Sequence, residues 1–163
     1  MNLVIEPLGK QHNRAAFSCG VADLDDYLKR RAGQDVRRRI ARVFVCTEGG
    51  SDVVLGFYTL SALSIDVSSL PEDQARKLPR HPVPAALIGR LAVDRSAQGR
   101  GLGRLLVTDA IQRTLGASEQ VAIHAVVVDA KNEAARRFYQ AYGFLSLPDQ
   151  PMRLFLPLRS IPT

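Results

Sequence analysis

The chain has 163 residues, a length that fits one compact domain better than two. Hydrophobic residues make up 46% and charged residues 23%, which excludes a disordered or fibrous chain, and no apolar run approaches the roughly 18 residues of a membrane span. A formal net charge of +6 leans towards a polyanionic partner, whether nucleic acid, a pyrophosphate or an acidic protein, without choosing among them.

The first residues, Met1-Asn2-Leu3-Val4-Ile5-Glu6-Pro7, lack the basic region, apolar stretch and small-residue cleavage site of a secretory signal. The expected location is the cytoplasm, with no membrane partner. Cys19 and Cys46 are too few and too far apart for a metal motif or a disulfide framework, and both are expected to be buried thiols. His12, His81 and His124 show no ligand spacing, so no metal site is expected.

Residues 2–7 read as a first strand. Gly20 to Ala32 reads as a helix with Leu24, Tyr27 and Leu28 on one face, acidic residues Asp23, Asp25 and Asp26 near its start and Lys29, Arg30 and Arg31 near its end. A second basic helix is expected from about Gln34 to Arg39. Val43–Thr47 and Val53–Leu60, separated by Gly49-Gly50-Ser51-Asp52, read as a β-hairpin. Residues 66–84 read as a loop with one helical turn at 71–77. A strand follows from Ala85 to Val93, then a glycine-rich turn and a helix from about Gly101 to Leu115. Leu102, Leu106 and Ala110 line one face of that helix, and Gly116 would be its C-cap. A strand at Ala122–Val128, a helix at Asn132–Tyr142 and a strand at Arg153–Leu156 complete the chain. This order predicts an α/β or α+β layer structure around one sheet.

The densest local signal is the run from Arg90 to Arg104. A buried strand runs into Gly99, Gly101 and Gly103, and a helix opens inside the turn. Glycines let a backbone approach a ligand closely, and free amides at a helix start favour an anion. Arg100 and Arg104 add positive charge, so the turn reads as a pyrophosphate cradle. The glycine spacing fits neither a dinucleotide fold's Gly-x-Gly-x-x-Gly nor a P-loop.

Gln98-Gly99-Arg100-Gly101-Leu102-Gly103 resembles the acyl-CoA motif of the GNAT superfamily of N-acetyltransferases. Asn132-Glu133-Ala134-Ala135-Arg136-Arg137-Phe138-Tyr139-Gln140-Ala141-Tyr142-Gly143-Phe144 is similar to that superfamily's second signature. The resemblance covers nearly the whole chain. It implies a single GNAT domain whose mixed, mostly antiparallel sheet splays at the acetyl-CoA site between flanking helices. Leu91, Ala92 and Val93 would pair with the pantetheine arm. Amides of Gln98, Gly99, Arg100, Gly101, Leu102, Gly103 and Arg104 would take the pyrophosphate. Asn132, Ala135 and Phe138 would contact CoA, and Tyr139 would be the general acid. Tyr142 is expected to pack.

The chain departs from the superfamily in one respect: the strand Ala85–Val93 has no carboxylate to serve as a base. Asp94, at its end, is expected to support the turn. A lysine amine has a pKa near ~10.4 and an α-amine one near ~8, which an aminoacyl ester lowers further. A missing base therefore favours aminoacyl-tRNA over a lysine substrate.

Phe17-Ser18-Cys19-Gly20 and the residues up to Asp35 resemble, more narrowly, the GNAT toxins of type II toxin–antitoxin pairs. That resemblance implies acetylation of aminoacyl-tRNA, arrest of translation and a ribbon–helix–helix antitoxin as partner. A homodimer is compatible with the class. The basic run Lys29, Arg30, Arg31, Arg37, Arg38, Arg39 and Arg42 suits RNA phosphates, and Arg90 and Arg95 extend it. Lys29, Arg37, Arg38, Arg39 and Arg90 are the expected substrate contacts. Two other readings stay open: a general N-acetyltransferase for a small amine or protein amine, and a non-catalytic CoA- or nucleic-acid-binding module.

Overall fold

The computed structural model describes residues 2–161. Its strands are β1 (Leu3–Pro7), β2 (Arg42–Glu48), β3 (Gly56–Ile65), β4 (Val83–Val93), β5 (Ala125–Asp129), β6 (Leu145–Ser146) and β7 (Arg153–Pro157). The helices are α1 (Ala22–Asp26), α2 (Ala32–Arg37), α3 (Glu72–Ala75), α4 (Leu102–Ala117) and α5 (Glu133–Gln140). The strand order is β1-β2-β3-β4-β5-β7-β6. β1–β2, β2–β3, β5–β7 and β6–β7 are antiparallel, and β4–β5 is parallel. The expected mixed, mostly antiparallel α+β sheet is what forms.

The chain gathers into two compact units. One holds the residues up to Ser61 together with Gly89–Gln112, and the other holds Ala62–Ile88 together with the residues from Arg113 on. In the first unit, Phe17, Tyr27, Leu28, Val43, Val45 and Phe57 form a buried cluster. Phe17 meets Phe57 edge-on at 5.6 Å between ring centroids, and Tyr27 stacks on Phe57 at 6.3 Å. In the second unit, Ile65, Leu70, Val83, Val127, Leu147 and Phe155 form another. Each such side chain taken from water contributes about 1.5–3 kcal/mol.

The two helices expected at 20–32 and 34–39 are instead one helical path from Ala22 to Arg37, because a π segment at Tyr27–Arg31 joins α1 to α2. The Ala32 amide donates to the Tyr27 carbonyl across that wide turn. Gly33 weakens the helix without stopping it, since carrying on keeps Ala32 and Val36 on the apolar cluster. The path ends at Arg39, which takes the left-handed φ of 58° usual for glycine, and the Ile40 amide returns to the Asp35 carbonyl at 2.9 Å.

Other boundaries also differ. β3 runs on to Ile65, well past Leu60. Gly116 lies inside α4 and does not cap it. β6 had no counterpart in the sequence reading. It is a two-residue strand held by Leu145 and Ser146 opposite Phe155 and Leu154. Leu102, Leu106 and Ala110 are buried as their spacing predicts.

The cysteines are not equivalent. Cys46, on β2, is fully buried, and burial followed by the Asp109 charge pushes its thiol up to about 11. Cys19 is only half-buried, contrary to the expected burial of both, because it lies in a loop whose backbone is tied elsewhere. Native protein treated with iodoacetamide near pH 8 should therefore gain one adduct, at Cys19, and a second only after denaturation. Intact-mass measurement reads this, and two adducts on the native protein would contradict the assignment.

Candidate acetyl-CoA and acyl-transfer site

The first unit presents the glycine-rich turn. β4 pairs with β5 over Ala85–Ile88, and the pairing stops there, before Gly89–Val93. Leu91, Ala92 and Val93 thus lie on the stretch of β4 beyond its β5 partner, as a strand-like ligand requires. Asp94 ends the strand. Its Oδ1 accepts from the Ser18 amide at 2.8 Å, and its Oδ2 accepts from the Ser96 amide at 3.0 Å and hydroxyl at 2.6 Å. Burial works against the charge on Asp94, but the bonds from Ser96 and Ser18 and the nearby Arg95 outweigh it and hold the carboxyl below its ordinary value. The expected supporting role for Asp94 is what its bonds describe.

Gln98 turns its side chain back into the protein. Its amide nitrogen donates to the Cys19 carbonyl at 3.1 Å and the Val93 carbonyl at 3.0 Å. With the Arg95 amide on the Ser18 carbonyl at 2.8 Å, these bonds fasten the turn to the Phe17–Gly20 loop. The backbone amide of Gln98 donates to the Arg95 carbonyl at 3.4 Å, so the Gln98 amide expected at the pyrophosphate is already engaged.

Gly99 and Gly101 both have φ of +81°, and nothing lies within 4 Å of where a Cβ would sit on either. The open space and the left-handed backbone make a bare cradle at the start of α4. The amides of Gly99, Arg100 and Gly101 donate to no backbone carbonyl among the described residues. Leu102, Gly103 and Arg104 form the first turn of α4, where amides have no partner one turn back. Leu102 is buried and anchors the helix, while Arg100 and Arg104 are exposed beside the cradle. The set fits a pyrophosphate.

The same unit carries the basic cluster. Lys29, Arg37, Arg38 and Arg39 are exposed and form no ion pair among the described residues. Arg30 and Arg31 lie near Asp26 at 3.3 and 3.9 Å. Arg90 is half-buried, its guanidinium 3.7 Å from the centroid of the Tyr27 ring, and the Tyr27 hydroxyl donates to Asp35 at 2.8 Å. Burial, then Asp35, pushes the Tyr27 phenol up to about 12. Tyr27 thus links Arg90 to the helical path that bears the cluster, a contact the sequence reading missed.

The second unit presents α5. Asn132 caps it, its Oδ1 accepting from the Ala135 amide at 2.8 Å. Arg136 donates through Nε to the Ser146 hydroxyl at 3.1 Å and pairs with Glu133. Phe138 meets Tyr139 and Tyr142 edge-on, each at 5.2 Å. Tyr142 packs, as expected. Tyr139 is buried, and burial pushes its phenol up to about 12. Its hydroxyl bonds to no described residue, so its proton is free to be given to something else.

Valine at Gly101 places a β-branched side chain in a left-handed backbone, at a cost of about 1–2 kcal/mol, and fills the cradle. Gly101→Val should leave a folded protein whose CoA affinity falls by about tenfold or more, equal to at least about 1.4 kcal/mol, in a calorimetric titration. Unchanged affinity would remove the turn from the CoA site.

The acetyltransferase (GNAT) family matches residues 11–144. A probable toxin TacT of Sinorhizobium fredii (strain NBRC 101917 / NGR234) is 38% identical over 97% of this chain and 92% of its own length. A tRNA-acetylating toxin of Mycobacterium tuberculosis (strain ATCC 25618 / H37Rv) is 40% identical over 88% of this chain and 85% of its own. Among solved structures, AtaT complexed with acetyl-methionyl-tRNAfMet superposes with a TM-score of 0.91 at 34% identity, covering 98% of this chain and 96% of that one. A tyrosine-to-phenylalanine variant of AtaT, bound to the C-terminus of the antitoxin AtaR and to acetyl-CoA, gives 0.84 at 31% identity over 98% and 96%. With the family matched over most of its length and relatives aligned nearly end to end, this chain belongs to the acetyltransferase (GNAT) family.

Proposed function

We propose that this chain moves an acetyl group from acetyl-CoA to the α-amine of an aminoacyl-tRNA, and so acts as a translation-blocking toxin. The observation that carries this reading is the near full-length similarity to a tRNA-acetylating toxin, in a chain that keeps the bare glycine cradle, the buried Tyr139 and the unpaired basic cluster. Its site is a single GNAT domain, and its partner is a ribbon–helix–helix antitoxin that covers the basic surface. The place of action is the cytoplasm, where charged tRNA is found. No helix among the described residues is long and apolar enough to cross a membrane.

Acetyl-CoA supplies the acetyl group as a thioester. The amides from Gly99 to Arg104 bind its pyrophosphate, and Leu91 to Val93 offer their backbone to the pantetheine arm. Ala135 and Phe138 on α5, with Asn132 fixing the start of that helix, contact the cofactor. Tyr139 gives its proton to the departing sulfur. A phenol at about 12 stays protonated through the neutral range, so it serves as a donor and not as a base. The amine must arrive neutral, because β4 carries no carboxylate to take its proton. Lys29, Arg37, Arg38, Arg39 and Arg90 bind the RNA.

Labelled acetyl-CoA incubated with total charged tRNA, followed by mass spectrometry of the released aminoacyl group, tests the reading. The label should sit on the α-amine, and uncharged tRNA should stay unmodified. Acetylation of free polyamine at a comparable rate, with charged tRNA untouched, would overturn it. Tyr139→Phe should lower turnover by about 10²–10⁴-fold with CoA affinity nearly intact. Replacing Arg37, Arg38 and Arg39 together with Ala should weaken charged-tRNA binding and flatten its salt dependence by about 0.7–0.9 in log–log slope per lost phosphate contact, leaving CoA binding unchanged.

A further inference from the structure

The second unit holds a cavity of about 250 Å³ that acetyl transfer does not use. Its polar wall is Gln74 on α3, Lys77 just beyond it, His124 ahead of β5, and Arg159 and Ser160 in the turn after β7. Leu78 and Pro157 complete the lining, and no Asp or Glu is part of it.

Two features make this cavity electropositive and leave its donors free. Lys77 and Arg159 form no ion pair among the described residues, although both face one concave surface. Two like charges on one hollow repel each other unless an anion sits between them. His124 is held by its backbone, its amide donating to the Pro84 carbonyl at 2.8 Å and its carbonyl accepting from the Leu158 amide at 2.9 Å. Its ring Nε2 is buried and has no partner among the described residues. Turning that nitrogen towards the cavity therefore sacrifices no hydrogen bond. Burial and then the Arg159 charge lower the His124 pKa, which leaves the ring neutral near pH 7, able to donate one N–H. The Ser160 hydroxyl already donates to the Pro157 carbonyl at 2.6 Å, which fixes the turn that carries Arg159.

We propose that the cavity bounded by Lys77, His124 and Arg159 is a binding site for a phosphate group. A guanidinium and an ammonium supply charge, and Gln74 and the imidazole supply neutral donors, the mixture that suits a tetrahedral oxyanion. The group comes either from the backbone of an RNA or from a free phosphorylated molecule. The site does not depend on the acetyl-transfer reading, since it shares no residue with the cradle, Tyr139 or the basic cluster.

The test is a titration of inorganic phosphate into protein already saturated with CoA, so that the Gly99–Gly103 turn is occupied. The His124 ring resonances should move along a saturating curve, and calorimetry should give one site. Lys77→Ala combined with Arg159→Ala should abolish both signals without lowering the melting temperature, because both side chains project from the surface. The Arg37, Arg38 and Arg39 triple replacement should keep them. A parallel measurement of charged-tRNA binding against salt distinguishes the sources. If the paired variant flattens the log–log slope by about 0.7–0.9, one RNA phosphate occupies the cavity. If it loses phosphate but keeps the tRNA slope, the occupant is a free phosphorylated molecule. No saturable response in the unaltered protein, or an equal response in the folded paired variant, overturns the proposal.

Discussion

A backbone that must meet a ligand bare has to be held by something other than its own side chains. The Gly99–Gly101 turn has no Cβ to pack, and its amides are left unpaired, so the chain gains little locally by keeping it in shape. The fixing comes from Asp94 and Gln98 on one side and the Phe17–Gly20 loop on the other. Asp94 gathers the Ser18 and Ser96 amides, Gln98 spans the Cys19 and Val93 carbonyls, and the Arg95 amide closes on Ser18. Phe17 is buried against Phe57 and anchors that loop in the core. Rigidity is thus imported from the hydrophobic cluster through polar bonds to a segment that has no packing of its own. A cradle prepared in this way loses less conformational entropy when an anion enters.

The same helical path that packs this cluster carries the basic residues. Its inner face places Tyr27, Leu28 and Ala32 in the core, and its outer face exposes Lys29, Arg37 and Arg38. Arg90 joins that face from β4 by stacking on Tyr27. The stack removes freedom from a long side chain, so its charge is presented in one place and does not sweep a large volume. Arg30 and Arg31 pair loosely with Asp26, and such exposed pairs are worth at most about 1 kcal/mol, too little to withdraw either from a polyanion.

The features that were readable in advance are those written locally. The hairpin of β2 and β3, the apolar stripe of α4 and the helix that opens at Asn132 need only neighbouring residues, and each forms near where its pattern puts it. The glycine run also announced itself, because alternating glycines before a helix have few structural uses. What escaped was set by distant partners. The bonds from Ser18 to Asp94 and from Gln98 to Cys19 span 76 and 79 residues, and nothing near either end marks them. Tyr27 over Arg90 is likewise remote. Gly33 suggested a break between helices, but burial of Ala32 and Val36 outweighed its weak helix preference and a π turn absorbed the mismatch. Gly116 suggested a cap, yet α4 simply runs past it. β6 is too short to carry a period, and its existence depends on β7.

The ionisable groups give the chain a one-sided proton economy. Tyr139 is buried with its phenol pushed up to about 12, so it holds its proton until a stronger base forms next to it. On the acceptor side, β4 offers no carboxylate, and the Tyr58 hydroxyl on β3 already donates to Asp109 at 2.6 Å. A lysine amine, whose pKa of ~10.4 leaves it about 0.04% neutral near pH 7, gains no help from β4 in losing its proton. An α-amine, near ~8 and lowered further by an adjacent ester, is neutral in a far larger fraction. The lack of a carboxylate on β4 thus favours amines of low pKa, the class to which the proposed aminoacyl ester belongs.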